Sequence, residues 1–170
     1  CPFMFDDKQL NQSNPTYDER EGFMVIGNFR HAPNWDAVLW LKQQVWPLIR
    51  KQLPHASLSV YGAYPPPKAT DLHDVKSGFL VKGWVDDAVY AMQSARVCLA
   101  PLRFGAGIKG KLAEAMICST PSVTTDIGAE SMETIHEWAG TIANDAQNIA
   151  DAAVILHQDK QRWQTASQLG

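Results

Sequence analysis

A chain of 170 residues is long enough for one domain with a real core and too short for two comfortable ones. Its 45% hydrophobic and 19% charged residues are those of a soluble globular protein, and a net charge of −3 supplies no field for gripping a nucleic-acid backbone, so nucleic acid is excluded as a partner and any anion must be bound locally. Cys1, Cys98 and Cys118 form no CxxC pair, which argues against a zinc site and for free thiols in a reducing, cytoplasmic compartment.

Residues 1 to 22 are polar and turn-rich and read as a lead-in or linker, leaving 23–170 as the domain. The start does not resemble a signal peptide, and no apolar run approaches the ~18 residues of a membrane span, although a membrane-associated parent protein stays compatible. Beginning at Cys1 rather than Met, the chain reads as a piece of something longer. "FMVIG" (23–27) predicts a first strand, and Asn34 to Gln52 a helix, with Trp35, Val38, Leu39, Val45, Trp46 and Ile49 at helical spacing and Asn34 as N-cap. "SLSVYG" (57–62) and "GFLVKG" (78–83) are the next strands, separated by a proline-broken connection, and Asp86 is expected to cap a short helix ending at Ser94. "RVCLAP" (96–101) is the fourth strand, 108–118 a helix, "PSVTT" (121–125) the fifth strand and "TIA" (141–143) a short sixth, before helices over roughly 146–157 and 160–168.

Strands that are apolar almost throughout and separated by helices call for a parallel sheet covered on both faces, a doubly wound, Rossmann-like α/β fold of about six strands. Ligands of such sheets bind beyond the carboxyl ends of the strands, so the loops of interest are 27–34, 62–67, 83–86, 101–110 and 125–131.

One of these, "APLRFGAGIKGKLAEAM", places Gly105, Gly107 and Gly110 in the spacing G-x-G-x-x-G between a strand and a helix, with Asp126 ending the next strand. That resembles a dinucleotide fingerprint. Against it, "PLRF" separates the strand end from the first glycine, three βα units precede the loop, and Arg103, Lys109 and Lys111 make it basic within an acidic chain. A diphosphate that gains charge as it departs is stabilised by such fixed cations and by a helix amino terminus. Binding of a nucleoside diphosphate is therefore the leading reading, beside an NAD-dependent oxidoreductase domain and a plain flexible turn carrying solvated cations.

"ARVCLAPLRFGAGIKGKLAEAMICSTPSVTTDIGAES", together with "GNFRHAPNWDAVLW" and "VKGWVDD", resembles the carboxy-terminal domain of GT-B glycosyltransferases, specifically the retaining group called family 4, from about Glu19 to Gly170. The resemblance implies one half of a two-domain enzyme. This half would bind the nucleotide-sugar donor, and an amino-terminal GT-B domain of the same polypeptide would hold the acceptor. Transfer would proceed with retention and without cofactor or bound metal. The parent would be cytoplasmic or peripheral at the inner membrane face, and this half alone would be inactive.

Carried over by position, Glu114 matches the second acid of the family's Glu-x7-Glu motif, which accepts hydrogen bonds from the donor ribose. The first acid falls on Ala106, a departure at the family's sugar-contacting position. Asn28 and Asn34 stand where many members have an arginine and a lysine for the diphosphate, so the resemblance moves the cation function to Arg103 and Lys109, with Lys111 or Arg30 as further candidates. Gly27 marks a close approach at the end of the first strand. Gly83, beside Lys82 and Trp84, falls in the base-binding loop, and Ala129 and Glu130 in the loop after the fifth strand. The catalytic residue stays unassigned. A noncatalytic nucleotide-binding or scaffolding module of the same fold remains a further alternative, kept open by Ala106, Asn28 and Asn34.

Overall fold

The computed structural model describes residues 13–130, 132 and 137–170. Six strands run in one parallel sheet in the order β3-β2-β1-β4-β5-β6. They are β1 Phe23–Ile26, β2 Leu58–Tyr61, β3 Phe79–Gly83, β4 Val97–Ala100, β5 Ser122–Thr124 and β6 Gly140–Ile142. The helices are α1 Ala32–Trp40, α2 Trp46–Gln52, α3 Pro67–Thr70, α4 Ala88–Ser94, α5 Gly110–Ile117, α6 Asp126–Ala129, α7 Ala146–Gln158 and α8 Lys160–Gln168. The expected doubly wound α/β sheet is what the chain forms.

Alternate residues of the central strands β1 and β4 feed two cores, one on each face of the sheet. On one face Phe23 and Val25 of β1, Val60 of β2 and Leu99 of β4 pack with Leu41, Trp46 and Ile49 and with Ile149, Ala153 and Leu156 of α7. On the other, Met24 and Cys98 meet Ala91 and Met92 of α4 and Ala115 of α5. Each fully buried large side chain of this kind contributes roughly 1.5–3 kcal/mol, which fixes the strand ends from which the loops depart. The helix expected over 34–52 is interrupted by a π-helical turn, Leu41–Val45, immediately before Trp46. Pro47 in the first turn of α2 has no N–H to give and its ring excludes the usual carbonyl, and the widened turn accommodates both.

Two caps differ from expectation by one to three residues. The N-cap of α1 is His31, and Asn34 lies inside the first turn, its side chain engaged elsewhere. Asp87, not Asp86, caps α4 by accepting from the Tyr90 amide at 2.8 Å, while Asp86 accepts from the Trp84 indole. After β5, the cap of α6 is Thr125, and Asp126 instead joins Asn144 at the end of β6.

The described part of the lead-in lies against the domain. Arg20 is 1% exposed. Its guanidinium donates to the carbonyls of Pro15 and Cys118 and to the Thr120 hydroxyl, and it lies 5.2 Å from the Trp163 ring centroid. Cys98 and Cys118 are buried free thiols whose pKa values burial pushes up, to about 12 and about 11. Cys1 lies outside the described residues.

Candidate ligand-binding cleft

β1 and β4 are neighbours in the sheet, and the chain leaves them toward opposite edges: β2 and β3 continue from β1 on one side, β5 and β6 from β4 on the other. That is the topological switch point, where the loops after the two strands part and leave a crevice. A cleft of about 190 Å³ lies there, lined from the β1 side by His31, Pro33 and Asn34 and from the β4 side by Leu102 and residues of the glycine loop through Lys111. A larger cavity of about 530 Å³ lies at the opposite end, around Gly22, Ser57 and Arg96, where β1, β2 and β4 begin. Position at the carboxyl ends of the strands, rather than volume, marks the smaller cleft as the candidate site.

The take-off of the glycine loop is fixed from β5, where the Thr124 hydroxyl donates to the Ala100 carbonyl at 2.8 Å and the Thr125 hydroxyl to the Leu102 carbonyl. Gly105 and Gly107 have φ values of +120° and +81°, conformations that favour glycine. A Cβ on Gly105 would come within 3.2 Å of Pro33, so the loop folds down onto the first turn of α1; one on Gly107 would meet nothing within 4 Å. Ala106 lines the cleft, leaving no carboxylate at that point.

The three cations of the loop are disposed differently. Arg103 is clamped to Asp36 of α1, its Nε and Nη2 donating to the two carboxylate oxygens at 2.8 and 2.6 Å, with Trp40 at 5.0 Å from the guanidinium carbon. The Asp36 carboxylate raises the Arg103 pKa. Lys109, half-buried at the lip, donates to the Gly107 carbonyl at 2.6 Å. Lys111, in the first turn of α5, extends into the cleft and donates to Asn34 Oδ1 at 2.6 Å. Burial lowers its pKa to about 8, the nearby Lys109 charge adding to that and Cys98 opposing it. With the amino terminus of α5 beside them, the lysines gather positive charge and helix dipole at the cleft, the two features that favour an anion.

Asn34 is held in turn. Its Nδ2 donates to the Asn28 carbonyl at 3.1 Å, and its amide lies where a Cβ on Gly27 would stand, at 2.6–2.8 Å. The close approach at Gly27 is thus made by a side chain of the same domain. Glu114, one turn along α5, is half-buried and outside the cleft lining; burial raises its pKa, and the Asp87 carboxylate adds to that. Gly83 ends β3, two strands from β1, with φ +70°, and is likewise outside the lining. Trp84 beside it is 69% exposed. The structure therefore brings Gly105, Gly107 (through its carbonyl to Lys109), Lys109 and Lys111 to one place with Gly27 beneath, turns Arg103 toward α1, and leaves Gly83 and Glu114 at its margins. Asp36 and the holding role of Asn34 escaped the sequence reading; both act across the switch point, and no local spacing signals them.

A family model described as glycosyl transferases group 1 matches residues 20–159. The chain belongs to the group 1 glycosyltransferases. Among curated relatives of this group 1 glycosyltransferase chain is an uncharacterized 44.6 kDa protein in the cps region of Klebsiella pneumoniae, 26% identical over 151 residues, covering 85% of this chain and 37% of that protein. Among solved structures, Staphylococcus aureus TarM, in complex with fondaparinux, alpha-GlcNAc-glycerol and UDP, superposes with a TM-score of 0.70 at 18% identity, covering 93% of this chain and 34% of TarM. WaaG, a glycosyltransferase involved in lipopolysaccharide biosynthesis, superposes with a TM-score of 0.71 at 16% identity, over 99% of this chain and 49% of WaaG. The chain spans between about a third and a half of the length of these proteins. The resemblance read from the glycine loop is borne out in family and fold, and the family is one of transferases rather than oxidoreductases. No helix among the described residues is long and apolar enough to cross a membrane.

Proposed function

We propose that this chain is the donor-binding half of a retaining, metal-independent glycosyltransferase that takes a nucleoside diphosphate sugar into the cleft between Asn34 and α5. The observation that carries the reading is the placement of Lys109, Lys111 and the amino terminus of α5 in one crevice at the switch point of the sheet. As the bond from sugar to diphosphate breaks, negative charge grows on the departing β-phosphate, and fixed cations and aligned amides favour that state over the intact donor. Glu114 accepts from the ribose at the margin of the cleft, and the loop around Gly83 and Trp84 meets the base. Ala106 presents a methyl group toward the sugar, so sugar recognition is left to neighbouring backbone and to the rest of the protein. Arg103 reaches a phosphate only by exchanging it for Asp36.

The acceptor belongs to an amino-terminal domain of the longer polypeptide, in the cytoplasm or at the inner face of its membrane. This half alone binds nucleotide without transferring sugar, because the reacting groups are brought together only between the two halves. TarM, of the same fold, is seen with UDP, which makes UDP the first nucleotide to try.

The test is a calorimetric and thermal-shift panel of UDP, GDP, dTDP, ADP and NAD on the chain. One nucleoside diphosphate should bind tightest, and at ~100 times its Kd should stabilise by about 2.7 kcal/mol. NAD binding tighter than every nucleoside diphosphate would overturn the reading. Binding to none of them would support the second reading, a noncatalytic module, toward which Ala106 points.

A further inference from the structure

The first βα turn brings no lysine or arginine to the cleft: Asn28 and Asn34 are neutral, His31 is the turn's one titratable lining residue, and Arg30 stacks on the Tyr64 ring, 3.8 Å from its centroid. Asn34 is nevertheless built in tightly. Gly27 clears space for its amide, the Asn28 carbonyl accepts from its Nδ2, and that contact orients Oδ1 toward the cleft, where it accepts from Lys111 Nζ at 2.6 Å. The carboxamide thus joins α1 to α5 across the switch point, and its free valence is spent on the ammonium that enters the cleft from the other side. A lysine with only this one neutral acceptor keeps two of its three N–H donors for a ligand. A carboxylate in the same place would have neutralised it.

We propose that Asn34 is a positioning residue that presents the Lys111 ammonium to the donor's diphosphate, so that the first βα turn supplies the mount and α5 the charge. The inference rests on the donor-binding reading and goes beyond it by naming which loop cation meets the diphosphate and what orients it. Lys109, its ammonium folded back on the Gly107 carbonyl, is the lesser contributor. The groups facing Lys111 are Cys98 beneath it on β4, Lys109 from the loop and His31 at the mouth, with Glu114 further along its own helix. None of the described ones is a carboxylate paired with it, so anion binding and its protonation are coupled: diphosphate affinity falls as pH rises above about 8, by at most about tenfold per pH unit.

The experiment measures the Kd of the tightest of UDP, GDP, ADP and dTDP for the wild-type chain and for Lys111→Met, Lys109→Met, Asn34→Ala and Asn34→Asp, at pH 7 to 9, with a thermal melt of each. Lys111→Met should weaken binding ~10-fold or more, as for loss of a charge-assisted hydrogen bond, and remove the decline above pH 8; Lys109→Met should cost less. Asn34→Asp should cost more than Asn34→Ala, because it keeps the fold and cancels the charge. An acid in the first turn of a helix is favourable, so a loss there is not unfolding. If the wild type binds none of the four nucleotides, the donor reading falls and this inference with it. If it binds, but Lys111→Met stays within about threefold or Asn34→Asp is no worse than Asn34→Ala, the inference is overturned and the donor reading stands.

Discussion

Replacing Lys111 by methionine should make the unliganded chain more stable while disabling its binding. Burial takes the Lys111 pKa from 10.5 to about 8, and each pKa unit corresponds to about 1.4 kcal/mol. At pH 7 the charged side chain therefore costs the fold roughly 3 kcal/mol relative to a lysine in water. Methionine matches the length of the side chain and carries nothing to desolvate, but it forfeits the bond to Asn34, worth about 1 kcal/mol. The net gain is ~2 kcal/mol, or ~4–8 °C in Tm for a chain of this size. The sign with pH is specific. Between pH 8 and 10.5 the unfolded lysine holds its proton and the folded one releases it, so wild-type stability rises through that window relative to the variant. Urea or thermal unfolding at pH 7 and at pH 10 measures both. A variant less stable than wild type at pH 7, or a gap that does not shrink toward pH 10, would refute the reasoning.

Gly27→Ala places a Cβ 2.6–2.8 Å from the Asn34 amide; it should destabilise by ~1–3 kcal/mol in a denaturant titration and weaken nucleotide binding as Asn34→Ala does. Arg103→Ala and Asp36→Asn open the same clamp, in which the Arg103 side chain is 46% exposed, so each should cost less than ~1 kcal/mol of stability and weaken nucleotide binding to a similar extent. Tighter binding by Asp36→Asn would instead show that the released Arg103 is itself a phosphate ligand. Glu114→Ala should weaken UDP more than 2′-deoxy-UDP, and equal losses would remove its ribose role.

The strands were legible because the central ones are buried on both faces and so read as short apolar runs, and every expected strand lies within two residues of the observed one. The caps were less so, since adjacent acids at Asp86 and Asp87 satisfy the same local rule and only the backbone decides which accepts from Tyr90. The glycine loop announced its own position through its spacing and charge. What it did not announce is where each cation points. Arg103 finds Asp36 across 67 residues of sequence, and Lys111 finds Asn34 across 77, pairings created only when β1 and β4 become neighbours. Arg20, in a stretch that reads as lead-in, gives no sequence sign that α8 will cover it. The two asparagines looked like losses when set beside the family; in the fold one of them holds a lysine.

The most direct test of the central claim is amide chemical-shift mapping of the 15N-labelled chain titrated with UDP, or with whichever nucleoside diphosphate binds tightest. Perturbations should concentrate at residues 27–34 and 105–111, on both sides of the switch point. Perturbations confined to residues 20–22, 52–57 and Arg96, around the larger cavity at the other end of the sheet, would contradict it.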